Sequence, residues 1–113
     1  VDSVPPMLNN LFAPGIQRFL IDAAGYDPRE EISKLNIPIL ITQGTNDIQI
    51  EVKDAQMLYD AVPSSTLEII EGMNHVFRQA SENFILNLQT YGNPDLPIDN
   101  SLVTIIVEFI NKN

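Results

Sequence analysis

The sequence contains no cysteine, a single histidine and few cations. Without thiols there can be no disulfide, no thiolate zinc site and no cysteine nucleophile. That absence suits an oxidising or a reducing compartment equally, so it does not localise the protein. Six Lys and Arg stand against fifteen Asp and Glu, a formal net charge of −9. Binding nucleic acid needs a basic surface to meet the phosphates, so nucleic acid is not expected as a partner. The same deficit disfavours a polybasic grip on anionic lipid. No apolar run is long enough to cross a bilayer. There is no internal repeat, low-complexity tract or linker that would set off a second domain. No signal-peptide pattern opens the chain at Val1, and the chain reads as a segment of something longer.

What is present suits one domain with a modest core: 113 residues, 44% of them hydrophobic. Residues 4–35 read as short helical pieces with strong punctuation. Pro5 and Pro6 suit a helix start, with Met7, Leu8, Leu11 and Phe12 on one face. Pro14 and Gly15 break that helix. Ile16, Phe19, Leu20, Ala23 and Ala24 then recur at helical spacing, and Gly25 makes a stop. Asp27, Pro28, Arg29 and Glu30 resemble a capping box, predicting a short helix to Leu35.

Residues 37–43 are apolar or β-branched with almost no alternation, the pattern of a strand buried on both faces in a parallel sheet. Pro38 near its start is tolerated there. An amphipathic helix over about 51–62 follows, with Val52, Ala55, Leu58 or Tyr59, and Val62 facing inward. Pro63, Ser64 and Ser65 end it, and residues 66–70 form a second strand. A strand–helix–strand unit of this kind has parallel strands and, almost always, a right-handed crossover. Residues 76–100 read as a long loop with one helical turn. A last helix over about 101–111, capped by Asp99 or Ser101, carries Leu102, Val103, Ile106, Phe109 and Ile110 on one face.

Two turns leave this unit on one sheet edge. The first strand ends in Gly44, Thr45, Asn46 and Asp47; the second leads into Glu71, Gly72, Met73, Asn74 and His75. Adjacent parallel strands lie about 4.8 Å apart, so an aspartate at one exit can reach an imidazole at the next. That edge is where open α/β sheets bind ligands. A carboxylate accepting from Nδ1–H leaves Nε2 free as a base and stabilises the imidazolium that forms. A loop histidine bonded to backbone, beside an aspartate that caps a turn, fits the same spacing. The residues alone leave both readings open.

The stretch Leu35-Asn36-Ile37-Pro38-Ile39-Leu40-Ile41-Thr42-Gln43-Gly44-Thr45-Asn46-Asp47 resembles the surroundings of the triad aspartate in α/β-hydrolases. Leu67-Glu68-Ile69-Ile70-Glu71-Gly72-Met73-Asn74-His75 resembles their triad-histidine turn. The likeness is to bacterial hydrolases of the serine aminopeptidase and monoacylglycerol-lipase-like group. Asp27-Pro28 and Asn93-Pro94-Asp95-Leu96-Pro97 add to it. It covers most of residues 14–112, and its specificity is concentrated at residues 44–47 and 72–75.

The resemblance implies an α/β fold, the C-terminal part of an α/β-hydrolase: a helical, cap-like segment at 1–35 and the last sheet strands and helices at 36–113. It implies catalytic roles for Asp47 and His75 in a Ser-His-Asp triad, with chain order Ser, Asp, His. The nucleophile elbow G-x-S-x-G is missing, since no serine here is flanked by two glycines. Elbow, oxyanion hole and most of the sheet are expected upstream of Val1. The implied activity is hydrolysis of carboxylic esters or related acyl bonds of a small-molecule substrate, with no cofactor. The isolated chain is expected to be inactive and to self-associate through its unpaired strand edge and uncovered apolar face. The alternative is a non-catalytic binding module of the same architecture.

Other features have plainer readings. Asp22, Asp27, Glu30 and Glu31 read as a solvated helix face with caps before a cation site. Met73, Val76 and Phe77 fit core packing as well as an acyl pocket. Leu11, Phe12 and Phe19 read as buried residues before lid residues.

Overall fold

The computed structural model describes residues 14–113, and the helix expected from Pro5 to Phe12 lies outside them. The architecture is mixed α/β, with a two-stranded parallel sheet and five helices among the described residues. Helices α1 (Pro14–Ala24) and α2 (Pro28–Ser33) precede strand β1 (Leu40–Gly44). Helix α3 (Val52–Ala61) crosses to strand β2 (Thr66–Ile70). Helix α4 (Phe84–Gln89), a 3-10 turn (Thr90–Gly92) and helix α5 (Asn100–Lys112) complete the chain.

The sheet forms as the crossover pattern predicts. β1 and β2 run parallel in register, Leu40 opposite Thr66 through Gly44 opposite Ile70. β2 spans the expected residues, whereas β1 starts three residues later than expected and runs on to Gly44. The difference follows from pairing: the ladder opens where Thr66 N–H donates to the Ile39 carbonyl at 2.9 Å, and Ile37 and Pro38 lie before it. Ile37 is exposed.

Helix α3 packs on both strands, α5 packs on both strands, and the two helices do not touch each other. They therefore cover opposite faces. Ile70, Met73 and Leu102 form the core on the α5 side, with Ile105 packed against them. The alternate positions Ile41 and Gln43 turn to the α3 side, where Ala55 is buried. Within α5, Leu102, Ile105 and Phe109 face inward, while Val103, Ile106 and Ile110, expected on the same stripe, are exposed. Residues 102, 105 and 109 follow the i, i+3, i+7 row; the others lie one step round the helix, in solvent.

Helix ends obey local chemistry. The Asp27 carboxylate accepts from the Arg29 N–H at 3.0 Å with Pro28 at the first helical position, and α2 stops at Ser33, short of Leu35. Asp54 reaches back to the Glu51 N–H at 3.0 Å, so Glu51 caps α3 from outside the helix. Asp99 caps α5 through the Ser101 N–H at 2.8 Å. Between 76 and 100 the expected loop contains a six-residue helix, α4, capped by Asn83. Helix α2 packs on α3, α4 packs on the 3-10 turn, and α1 packs on none of the other described elements. Phe19 on α1, read as buried, is 68% exposed. Among the described residues no helix is long and apolar enough to cross a membrane.

Candidate active site

The two turns at the carboxyl ends of β1 and β2 are bonded to each other. Thr45 N–H donates to the Ile70 carbonyl at 3.1 Å, and Asn46 N–H donates to the Met73 carbonyl at 3.0 Å. Gly72 N–H donates to the Thr45 hydroxyl at 2.8 Å. The Met73 carbonyl presses on the bare Cα of Gly44, in the space that a Cβ would occupy. Gly72 takes a φ of +79°, which permits the reversal after β2.

This contact brings Asp47 and His75 together. Asp47 Oδ2 lies 2.9 Å from His75 Nδ1. The other oxygen, Oδ1, accepts from the N–H groups of Gln49 at 2.8 Å and Ile50 at 2.9 Å. Those two bonds fold residues 47–50 into a turn around the carboxylate. The Asp47 side chain is only 8% exposed. Burial works to raise its pKa, but hydrogen bonds from the Ile50 N–H, the His75 ring and the Gln49 N–H outweigh it and hold the carboxyl below its ordinary value. Asp47 is therefore an anion at neutral pH.

An ionised carboxylate only accepts hydrogen bonds, so Nδ1 carries the proton of the neutral ring. Nε2 is then the free lone pair, on a side chain that is 40% exposed. Among the described residues, the imidazole's hydrogen bond is the one to Asp47. The pair can take a proton at Nε2, stabilise the resulting charge, and return the proton.

The loop carrying His75 is held by a polar network. Asn74, almost fully buried, donates to Asn87 Oδ1 at 3.1 Å and to the Thr90 hydroxyl at 2.7 Å. Its own Oδ1 accepts from the N–H groups of Val76 and Arg78. Asn87, 0% exposed, donates to the Asn46 carbonyl at 2.6 Å and the Ser81 carbonyl at 3.0 Å. Helix α4 thus ties the Asp47 turn to the His75 turn. Arg78 closes the loop on the Val76 and Leu96 carbonyls. Phe77 adopts φ 64°, a left-handed conformation uncommon for a bulky residue, two positions after His75.

The sequence-based candidates divide cleanly. Asp47 and His75 meet; among the described residues no serine hydroxyl bonds to either, and Ser65, for example, is turned to the Val62 carbonyl. Met73 is core, Val76 is half-buried and Phe77 is exposed. The acidic residues ahead of β1 are mostly paired: Asp22 with Arg18, Asp27 with Arg29 and Glu31 with Lys34. Among the described residues no three His, Asp or Glu side chains gather as metal ligands. The residues missed were Gln43, Asn74 and Asn87, whose amides shape the site. Their signal was a polar side chain within a buried strand, a tight turn and an apolar helix.

No protein-family model matches the chain, nor does any curated protein sequence.

Proposed function

We propose that this chain supplies the acid and the base of a Ser-His-Asp triad, as the C-terminal part of a serine hydrolase acting on carboxylic esters or related acyl bonds. The observation that carries the reading is the 2.9 Å contact of Asp47 Oδ2 with His75 Nδ1, at the exits of two adjacent parallel strands. A serine contributed by another part of the protein attacks the acyl carbon. His75 Nε2 takes the hydroxyl proton and hands it to the departing alcohol or amine. Water then attacks the acyl-enzyme, losing its proton to Nε2, and Nε2 returns that proton to the serine oxygen. Asp47 holds the ring in the Nδ1–H tautomer and offsets its charge throughout. In isolation, copies of the chain associate through their exposed apolar side chains.

The test is labelling of the natural protein that contains these residues with a fluorophosphonate probe. A labelled serine is expected, with ester turnover falling about 10⁴-fold in Asp47→Asn. A protein with no reactive serine overturns the reading and leaves a binding module.

A further inference from the structure

We propose that Gln43 is a positioning residue for the Asp47–His75 pair, fixing the carboxylate oxygen that faces the imidazole. This rests on the triad reading of those two residues. Gln43 stands in β1 between Thr42 and Gly44, turned to the α3 side of the sheet and 7% exposed. A buried amide at a core position is costly unless its hydrogen bonds are made. Its Nε2 lies within hydrogen-bond distance of three acceptors, the Gly44 carbonyl at 3.1 Å, Asp47 Oδ2 at 3.2 Å and the Ile50 carbonyl at 3.1 Å, which share its two N–H groups. All three partners are acceptors, so the amide has one orientation: turned over, Oε1 would face three oxygens.

The consequence lies in the carboxylate. The Gln49 and Ile50 N–H groups hold Oδ1 only. Oδ2, the oxygen bonded to Nδ1, would be held by the imidazole alone were it not for Gln43. Gln43 also grips the Ile50 carbonyl, so a single side chain anchors the acid and the far end of the turn that cradles it. With Oδ2 fixed from the strand side, the lone pair directed at His75 stays in place when the ring is neutral. That is the moment when the tautomer must already be correct.

Because His75 is the only histidine in the sequence, its ring signals need no assignment by elimination. Nitrogen-15 NMR of the full chain reads the tautomer directly. In Gln43→Met, similar in length but without the donor, Oδ2 is free to turn from the ring, and the Nδ1–H to Nε2–H ratio is expected to fall about three- to tenfold through loss of the Nδ1–H···Oδ2 hydrogen bond. Exchange of the Nδ1 proton with water is expected to speed up. A folded Gln43→Met with an unchanged tautomer ratio overturns the proposal. Should that variant fail to fold, an acid titration of the wild-type chain decides. The Gln43 side-chain amide resonances must shift as Asp47 takes up its proton, and resonances that stay still overturn the proposal. Neither measurement involves turnover. Absence of a labelled serine therefore defeats the hydrolase reading without touching Gln43, and an unchanged tautomer defeats Gln43 without touching the hydrolase reading.

Discussion

The Met73 carbonyl occupies the space where residue 44 would carry a Cβ, so the turn after β2 rests directly on the Cα of Gly44. The neighbour is backbone, and it is itself fixed by the Asn46 N–H at 3.0 Å, so it cannot swing aside as a flexible side chain could. Gly44→Ala must therefore push the two turns apart. Overpacking of this kind costs about 1–3 kcal/mol, occasionally more. Urea denaturation measures the loss, and it is expected to come with a weakened Asp47–His75 contact.

Asn87 leads to a second expectation. Removing its side chain in Asn87→Ala strands the Asn46 and Ser81 carbonyls and leaves the Asn74 amide donating to Thr90 alone. Each buried group left without a partner costs about 1–3 kcal/mol. Asn83→Ala removes only a helix cap, worth about 1 kcal/mol. Asn87→Ala should therefore destabilise more than Asn83→Ala in parallel denaturation curves. Equal losses would mean that α4 is an appendage rather than a clamp.

Acid should weaken the fold through Asp47 and Asp99. Both carboxyls sit below their ordinary value in the folded state: Asp47 because its hydrogen bonds outweigh burial, Asp99 chiefly through the hydrogen bond from Gln79. The folded state therefore binds fewer protons than the unfolded chain. The stability this adds is fully present above the unfolded value of about 3.9, and is lost as pH falls through the lower folded values. Denaturation midpoints measured from pH 6 down to pH 2 should be level at first and then drop. In Asp47→Asn the drop should be shallower.

Much of this arrangement can be read from the amino acids, and the exceptions share a cause. The span of β2, the crossover and the meeting of Asp47 with His75 follow from apolar runs that end in turns, because parallel neighbours put their exits side by side. The limits of β1 do not, since they depend on where β2 offers a partner: Ile37 looks like strand but has none. Helix α4 was hidden because Phe84, Ile85, Leu86 and Leu88 lie all round it and are exposed, while its one buried residue, Asn87, is polar. A helix without an apolar stripe gives no periodic signal. Gln43 and Asn87 become legible only when the acceptors around them are in place.

The exposed apolar side chains lead to a fourth expectation. Val103, Ile106, Val107 and Ile110 form an uncovered row on α5, and α1 exposes Phe19 and Ile21. Sedimentation velocity over rising concentration should show species larger than the 12.6 kDa chain. Ile106→Lys and Ile110→Lys should shift the distribution towards monomer. A wild-type chain that stays monomeric at high concentration removes this expectation.

The isolated 113 residues are expected to show no serine-dependent ester hydrolysis. Asp47 and His75 form a base with an exposed Nε2, and such a base can remove a proton from water much as free imidazole does. What makes a triad fast is an oriented hydroxyl beside Nε2 and donors aimed at the oxyanion. Among the described residues no serine hydroxyl bonds to the ring, and no serine in the sequence sits between two glycines as an elbow requires. Hydrolysis of a p-nitrophenyl ester by the chain should stay at the level of an exposed imidazole, far below that of a complete triad with its serine and oxyanion donors. It should fall in His75→Ala and be indifferent to fluorophosphonate. Inhibition by fluorophosphonate would place a working nucleophile inside these residues, and the roles given to Asp47 and His75 would have to be rebuilt around it.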